Sequence, residues 1–460
     1  MNKNALIEFA IASGTVSIAN NVDNLTNGGK TIKTGAGTLS TNKWISGQVE
    51  VQEGTLKLTN GFGSGKRFNG TITIAQGALL DCAAKDTLGY GSANTIMNIY
   101  GTMNSSVDNE TLNNTELHMY GGTAQATSGS TFDILNAGVK FYSYALPNAE
   151  TTTVSTISPT LLLRHNGTLP IDTAANSQLN LTGEITGLYN NTQYTCSITK
   201  LGDGTLKLSG ANSYKGETIV SAGVLELTGD AVVANGLMTV GNNGTLIYNL
   251  EEGQSKLLTI DNSNKIVSTG AVEKTGDGTL QIYAASAGQV DASHFLVSSG
   301  RLDMKEYYKG TLEVGKKLDE GYTTATFSPG NSVGSLTIDG VFTLNPGSTL
   351  LMEQDATGMD TLIANQFNIA EDAIVEYVFT SIQPGATYEI FSDPNGLEGK
   401  YADVNYWSSF LTPGDDYYWN ITIVGNSVFA SVDSNAVPEP STWALLILGA
   451  AGLLYWRKRK

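Results

Sequence analysis

Histidine, cysteine and proline are scarce here: three, two and ten residues among 460. His118, His165 and His294 stand alone, without the spacing that metal ligands need, and read as ordinary outward residues of strands. No metal or cofactor is expected. Cys82 and Cys196 cannot form a disulfide scaffold. An oxidising compartment would permit a bridge between them, but sequence does not bring their Cα atoms within bonding distance, and two isolated buried thiols is the preferred reading. Charge is sparse too, at 15% of residues, and cations are the minority, 26 against 43 acids, for a net charge of −17. Such a surface repels phosphates, which excludes nucleic acid as a partner. It favours solubility outside the cell and weak attraction of divalent cations. Before residue 440 no stretch shows a convincing helical period, which argues against a helical domain.

Glycine, by contrast, numbers 52, and it punctuates runs of alternating Thr, Val, Ile and Leu. That is the pattern of an all-β protein with many short strands. With glycine as register mark, repeats emerge. Lys33-Thr-Gly-Ala-Gly-Thr-Leu39, Lys200-Leu-Gly-Asp-Gly-Thr-Leu206 and Lys274-Thr-Gly-Asp-Gly-Thr-Leu280 are near copies. Each precedes a second block: Val49-Glu-Val-Gln-Glu-Gly-Thr-Leu-Lys-Leu58, Thr218-Ile-Val-Ser-Ala-Gly-Val-Leu-Glu-Leu227 and Phe295-Leu-Val-Ser-Ser-Gly-Arg-Leu-Asp-Met304. From the second Gly of the first block to the Gly of the second the spacing is 17, 19 and 22 residues.

In Gly-Thr-Leu-Lys-Leu the leucines alternate with polar residues, so one strand face is buried and the other is wet. A coil of about 20 residues cannot bury its leucines alone, whereas stacked coils share a continuous apolar centre. The expected fold is a parallel β-helix, a solenoid, with variable segments projecting from its corners. Irregular spacing disfavours the competing sandwich or propeller. These blocks, above all Lys200 to Gly229, resemble the autotransporter-associated β-strand repeat, which implies a β-helical surface passenger. Such passengers end in a translocating outer-membrane barrel. Here a different tail takes that place, so self-secretion is not implied. The expected organisation is a repeat region over 1–326, a C-terminal β region over 327–433 that caps the solenoid, and a tail over 437–460.

That tail reads Val437-Pro438-Glu439-Pro440-Ser-Thr-Trp443, an apolar run, and a basic end of Arg457, Lys458, Arg459 and Lys460. The prolines keep the first part out of helix and sheet, hence accessible. Residues 443–456 are uncharged, and a helix there spans roughly 20–24 Å against about 30 Å of hydrocarbon. Trp443, Leu445, Leu446, Ile447, Leu448, Leu453, Leu454 and Trp456 would form a transmembrane anchor, with aromatic residues at the interfaces and the cations as a cytoplasmic stop. The three parts in this order resemble the PEP-CTERM sorting signal of exopolysaccharide-producing Gram-negative bacteria, a domain also labelled as the C-terminal domain of ice-binding proteins. The resemblance implies that an exosortase-type membrane enzyme recognises Val437, Pro438, Glu439 and Pro440 and removes the anchor. Residues 1–12 make a poor signal peptide, with one Lys and an apolar run broken by Glu8, which places the expected signal upstream of Met1.

Catalytic constellations are not evident. Asp319-Glu320, Glu371-Asp372 and Asp415-Asp416 are adjacent in sequence, and strand neighbours point to opposite faces, so these read as solvated acids. Gly61-Phe-Gly-Ser-Gly-Lys66 lacks the spacing of a phosphate loop and has Arg67 where a hydroxyl belongs. The leading expectation is a non-enzymatic exported protein of the cell envelope, membrane-anchored and then surface-exposed or secreted, associated with extracellular polysaccharide or biofilm. A polysaccharide-degrading or glycan-binding β-helix, with carboxylates converging only in three dimensions, is the alternative. An ice-binding surface, for which Thr-x-Thr pairs occur only as scattered cases such as Thr71 with Thr73 and Thr324 with Thr326, comes third.

Overall fold

A computed structural model of the chain describes residues 6–434, apart from 23–28, 64, 66, 92, 106–109, 128–129, 232–235, 285, 287–289, 331, 381–384, 394–395, 398 and 410–416. Short alternating strands separated by glycine corners wind into a parallel β-solenoid, and three ladders of strands make its faces.

Face A begins with Leu6–Ala10, Lys30–Thr34, Gln48–Val51, Phe68–Ile74 and Thr95–Ile99, each parallel to the one before. Face B begins with Thr15–Ile18, Thr38–Thr41, Thr55–Leu58, Leu79–Cys82 and Thr102–Ser105. Face C in the first half consists of Glu110–Leu112, Thr131–Ile134, Thr160–Leu163 and Ile185–Thr186. In the second half it continues through Ser255–Ile260, Thr279–Ala284, 301–306 and Thr326–Ser328.

Register is one residue on one residue, so like positions form columns along the axis. On face B, Leu39, Leu56, Leu80, Met103 and Ala124 lie over one another, all buried. Each buried leucine is worth about 1.5–3 kcal/mol relative to exposure. The apolar centre is therefore continuous along the solenoid, and no coil owns a core of its own.

The three lysine-glycine blocks do not occupy equivalent places. In the first two, Gly-x-Gly-Thr-Leu carries the chain from face A to face B, because 30–34 and 197–201 lie on A and 38–41 and 205–208 on B. Lys274 lies instead on face B, since 271–275 pairs with 245–249 and that segment with 224–228. The third block thus turns the corner from B to C. The motif encodes a corner, not a face.

Parallel pairing extends beyond Phe327, through Thr349–Asp355 and Ile374–Phe379. It then gives way to antiparallel pairing. Thr387–Ser392 lies against Ser427–Ser434, which pairs with Tyr417–Val424. Phe391 sits 3.8 Å from Phe367 and 4.4 Å from Trp407 between ring centroids, so the antiparallel unit plugs the open end of the apolar column. Trp407, on the short helix Val404–Ser408, donates its indole N–H to Tyr401 O at 2.8 Å. Among the described residues no helix is long and apolar enough to cross a membrane. The helix expected over 443–456 lies outside the described residues.

Candidate functional site

The corner chemistry is the same in all three lysine blocks. Lys33 Nζ donates to Thr34 O at 2.9 Å, Gly35 O at 2.6 Å and Glu53 O at 3.0 Å. Lys200 does so to Leu201, Gly202 and Ala222, at 2.8, 2.7 and 3.0 Å. Lys274 does so to Thr275, Gly276 and Ser299, at 2.8, 2.7 and 3.2 Å. An ammonium has three N–H donors, and three carbonyls use them all. Burial pushes Lys200 and Lys274 down to about 8, which leaves them charged at neutral pH. The glycine of the second block completes the clasp. A Cβ at Gly223, where φ is +64°, would lie 2.4 Å from Gly202 O and 2.5 Å from Gly204 O. These clasps hold coil to coil; they are buried and offer nothing to a ligand.

The three histidines lie on different coils. His118 packs against Tyr142 and Tyr144, with centroids 4.6 and 5.6 Å away, and its Nε2 is 3.2 Å from Glu116. His165 accepts from Gly167 N at 3.0 Å and lies 3.5 Å from Cys196 Sγ. His294 pairs with Glu313 at 2.9 Å. Among the described residues no group of three or more His, Cys, Asp or Glu could hold a metal ion. Cys82 and Cys196 are free and buried. Asp319, Glu320, Glu371 and Asp372 are exposed, and Asp415 and Asp416 fall outside the described residues. The Gly61 segment leads into Arg67, which is fully buried and donates to the carbonyls of Lys43, Asn60 and Thr87.

Threonines do form a column on face B: Thr15, Thr38 and Thr55 stand in register, and Thr102 and Thr123 follow after Leu79. Two residues on, the neighbouring column carries Ser40, Lys57, Asp81, Asn104 and Gln125. Long and charged side chains there break the flat double rank that an ice-binding face requires. Thr71 and Thr73 meet Ile96 and Asn98 on the next coil, and Thr326 meets Arg301 on one side and Thr349 on the other.

Tyrosines just past the face A strands form another column. Tyr100 stacks on Tyr120 at 4.5 Å, and Tyr120 on Tyr144 at 4.9 Å, close to the spacing of the coils. Each ring covers the face of the next, so this column seals a corner.

Acids that converge come from separate coils. Asp86 and Asp133 line one cleft of about 280 Å3 on face C, together with Tyr90, Arg164 and Tyr189. Arg164 Nη1 donates to Asp133 Oδ2 at 2.9 Å, and its guanidinium lies 3.8 Å from the Tyr189 ring centroid. Elsewhere Arg301 bridges Asp303 and Glu353. Sequence spacing could not find either group, because Asp133 and Arg164 are 31 residues apart and Arg301 and Glu353 are 52 apart, and only the coil register unites them. The two carboxyls that burial pushes up to about 7, Glu110 and Asp360, are committed to backbone instead. Glu110 accepts from Thr87 N and Leu88 N at 3.0 and 2.7 Å. Asp360 accepts from Gly334 N and Glu353 N at 2.7 and 2.8 Å.

Two short stretches of the chain match known family models. Residues 198–227 match the passenger-associated-transport-repeat, and residues 436–460 match the PEP-CTERM protein-sorting motif. The first match covers the Lys200 clasp. The second covers Val437, Pro438, Glu439 and Pro440, the apolar run from Trp443 to Trp456 and the basic end from Arg457 to Lys460, all outside the described residues. The sorting motif implies an exported protein processed by an exosortase, with sorting to the cell envelope or surface. No curated protein matches the chain at a significant level.

Proposed function

We propose that this chain is a non-enzymatic, polar-faced solenoid of the cell surface or extracellular matrix. It is held briefly by a C-terminal transmembrane helix over 443–456 and released when an exosortase acts at Val437, Pro438, Glu439 and Pro440. Its polar outer faces then associate with extracellular polysaccharide. The carrying observation is the sorting motif at 436–460 joined to a parallel solenoid. The non-enzymatic part rests on the acids. A general acid needs a carboxyl of raised pKa facing substrate, whereas Glu110 and Asp360 are buried and bonded to main-chain N–H groups.

A glycan-active solenoid is the second reading, favoured by Asp86 and Asp133 in one cleft. Against it, both oxygens of the Asp133 carboxyl are already engaged, one by Thr131 and the other by Arg164. Fractionation of cells that carry the full chain or a chain lacking 437–460 tests the proposal. Surface delivery of the first and retention of the second is the expected result. Identical distribution of the two would overturn it.

A further inference from the structure

The loop over 85–91, which forms one wall of the face C cleft, is braced from within. Glu110 and Arg67, both fully buried, hold it: Glu110 accepts the N–H groups of Thr87 and Leu88, and Arg67 donates to Thr87 O as well as to Lys43 O and Asn60 O. Burying a carboxylate and a guanidinium costs several kcal/mol each before their hydrogen bonds form. Asp86 takes a left-handed φ of +52° in the same loop and accepts from Thr111 Oγ1 at 2.6 Å. The opposite wall is equally fixed. Asp133, with a side chain only 4% exposed, is bonded to Thr131 and Arg164, and Arg164 is braced on Tyr189. Arg164 Nε is buried without a protein partner. Tyr90 stands exposed at the rim.

We infer that this cleft is a binding site for a neutral polysaccharide, with Asp86 accepting from sugar hydroxyls, Lys85 donating to them, the Tyr90 ring meeting an apolar sugar face, and Asp133 holding Arg164 in the opposite wall. A carboxylate and an ammonium side by side match vicinal hydroxyls, which donate and accept at once. A polyanion fits poorly, because two acids line the cleft and the chain carries a net charge of −17. Rigid walls spare the ligand the cost of ordering them. The inference rests on the polysaccharide part of the reading above, and it is independent of how the tail is processed.

Affinity electrophoresis of the purified full-length protein in mild detergent tests it, in gels containing dextran, galactan, xylan, mannan or polygalacturonate. Retardation by at least one of the four neutral polymers is expected. Tyr90→Ala with Tyr189→Ala should weaken it at least about tenfold, and Tyr100→Ala, in the stacked column, should leave it unchanged. If the double variant loses its β-sheet circular dichroism, Tyr90→Ala alone should still weaken retardation about threefold. No retardation by any neutral polymer, retardation by polygalacturonate alone, or full binding by the tyrosine variants would overturn the assignment. Since purified protein is used, a failure of sorting in cells would leave this result untouched.

Discussion

Lys200 reaches across the coil boundary to Ala222, with Nζ 3.0 Å from the carbonyl oxygen, while two more carbonyls of its own corner fill its remaining donors. Lys33 and Lys274 repeat the contact on other coils. Each such lysine gathers carbonyls of a glycine corner and of the next coil on one ammonium, which makes the corner a joint between successive coils.

Lys200→Met keeps the stem and removes the ammonium. It should destabilise the joint by about 1–3 kcal/mol, whereas Lys207→Met, which loses only a half-exposed pair with Glu226, should cost about 0–1 kcal/mol. Hydrogen exchange of amides near 201–204 and 222–226 is the proper measurement, because a solenoid opens locally. Equal protection in both variants would contradict the clasp.

Gly223 and Gly77 both have positive φ, at +64° and +79°, but only Gly223 is pressed on the neighbouring coil. Gly77→Ala has open space and should cost about 1 kcal/mol from the backbone conformation alone. Gly223→Ala should cost several times more, since the carbonyls of Gly202 and Gly204 must move. Thermal unfolding of the two variants side by side separates crowding from conformation.

Glu110 supplies a pH test. Burial raises its folded pKa from 4.5 to about 7, so between those values the folded chain holds a proton that the unfolded chain has released. Its contribution to stability is therefore full below about pH 4.5 and is lost as pH rises towards 7. Relative to Glu110→Gln, which cannot titrate, the wild type should be more stable at pH 5 than at pH 8, by on the order of 1–3 kcal/mol. A stability difference that is flat across this range would rule out the raised carboxyl. Asp360→Asn should behave in the same sense.

The two thiols give a chemical test of burial. Cys196 is pushed up to about 12 and Cys82 well above its usual range, both chiefly by desolvation. Neither should react with a thiol reagent at pH 7.5 until denaturant is added. Fast labelling of the native protein would mean that the coils around them are open.

The alternation in Gly-Thr-Leu-Lys-Leu made the parallel coil legible in sequence, because burial on one strand face is a local property. The lysine at the head of each block was visible as a repeated letter. Its role was not, since Ala222 and Ser299 lie 22 and 25 residues further on and only the coil length brings them back. The rotation of the Lys274 block by one face was equally hidden: a corner motif reads the same whichever faces it joins. The face C cleft draws Asp86, Thr111, Asp133, Arg164 and Tyr189 from five successive coils, with no spacing signature at all. The threonine column was half legible. Thr38 and Thr55 stand inside the repeated blocks, but the column they join, and the Lys57 and Asp81 beside it, line up only through the coil register.

The mass of the protein recovered from outside the cell tests export and release most directly. Intact-mass measurement should show a chain that retains the solenoid and lacks the apolar run 443–456 with Arg457, Lys458, Arg459 and Lys460. Recovery only of a chain that still ends in Lys460, confined to the cytosol, would contradict the account.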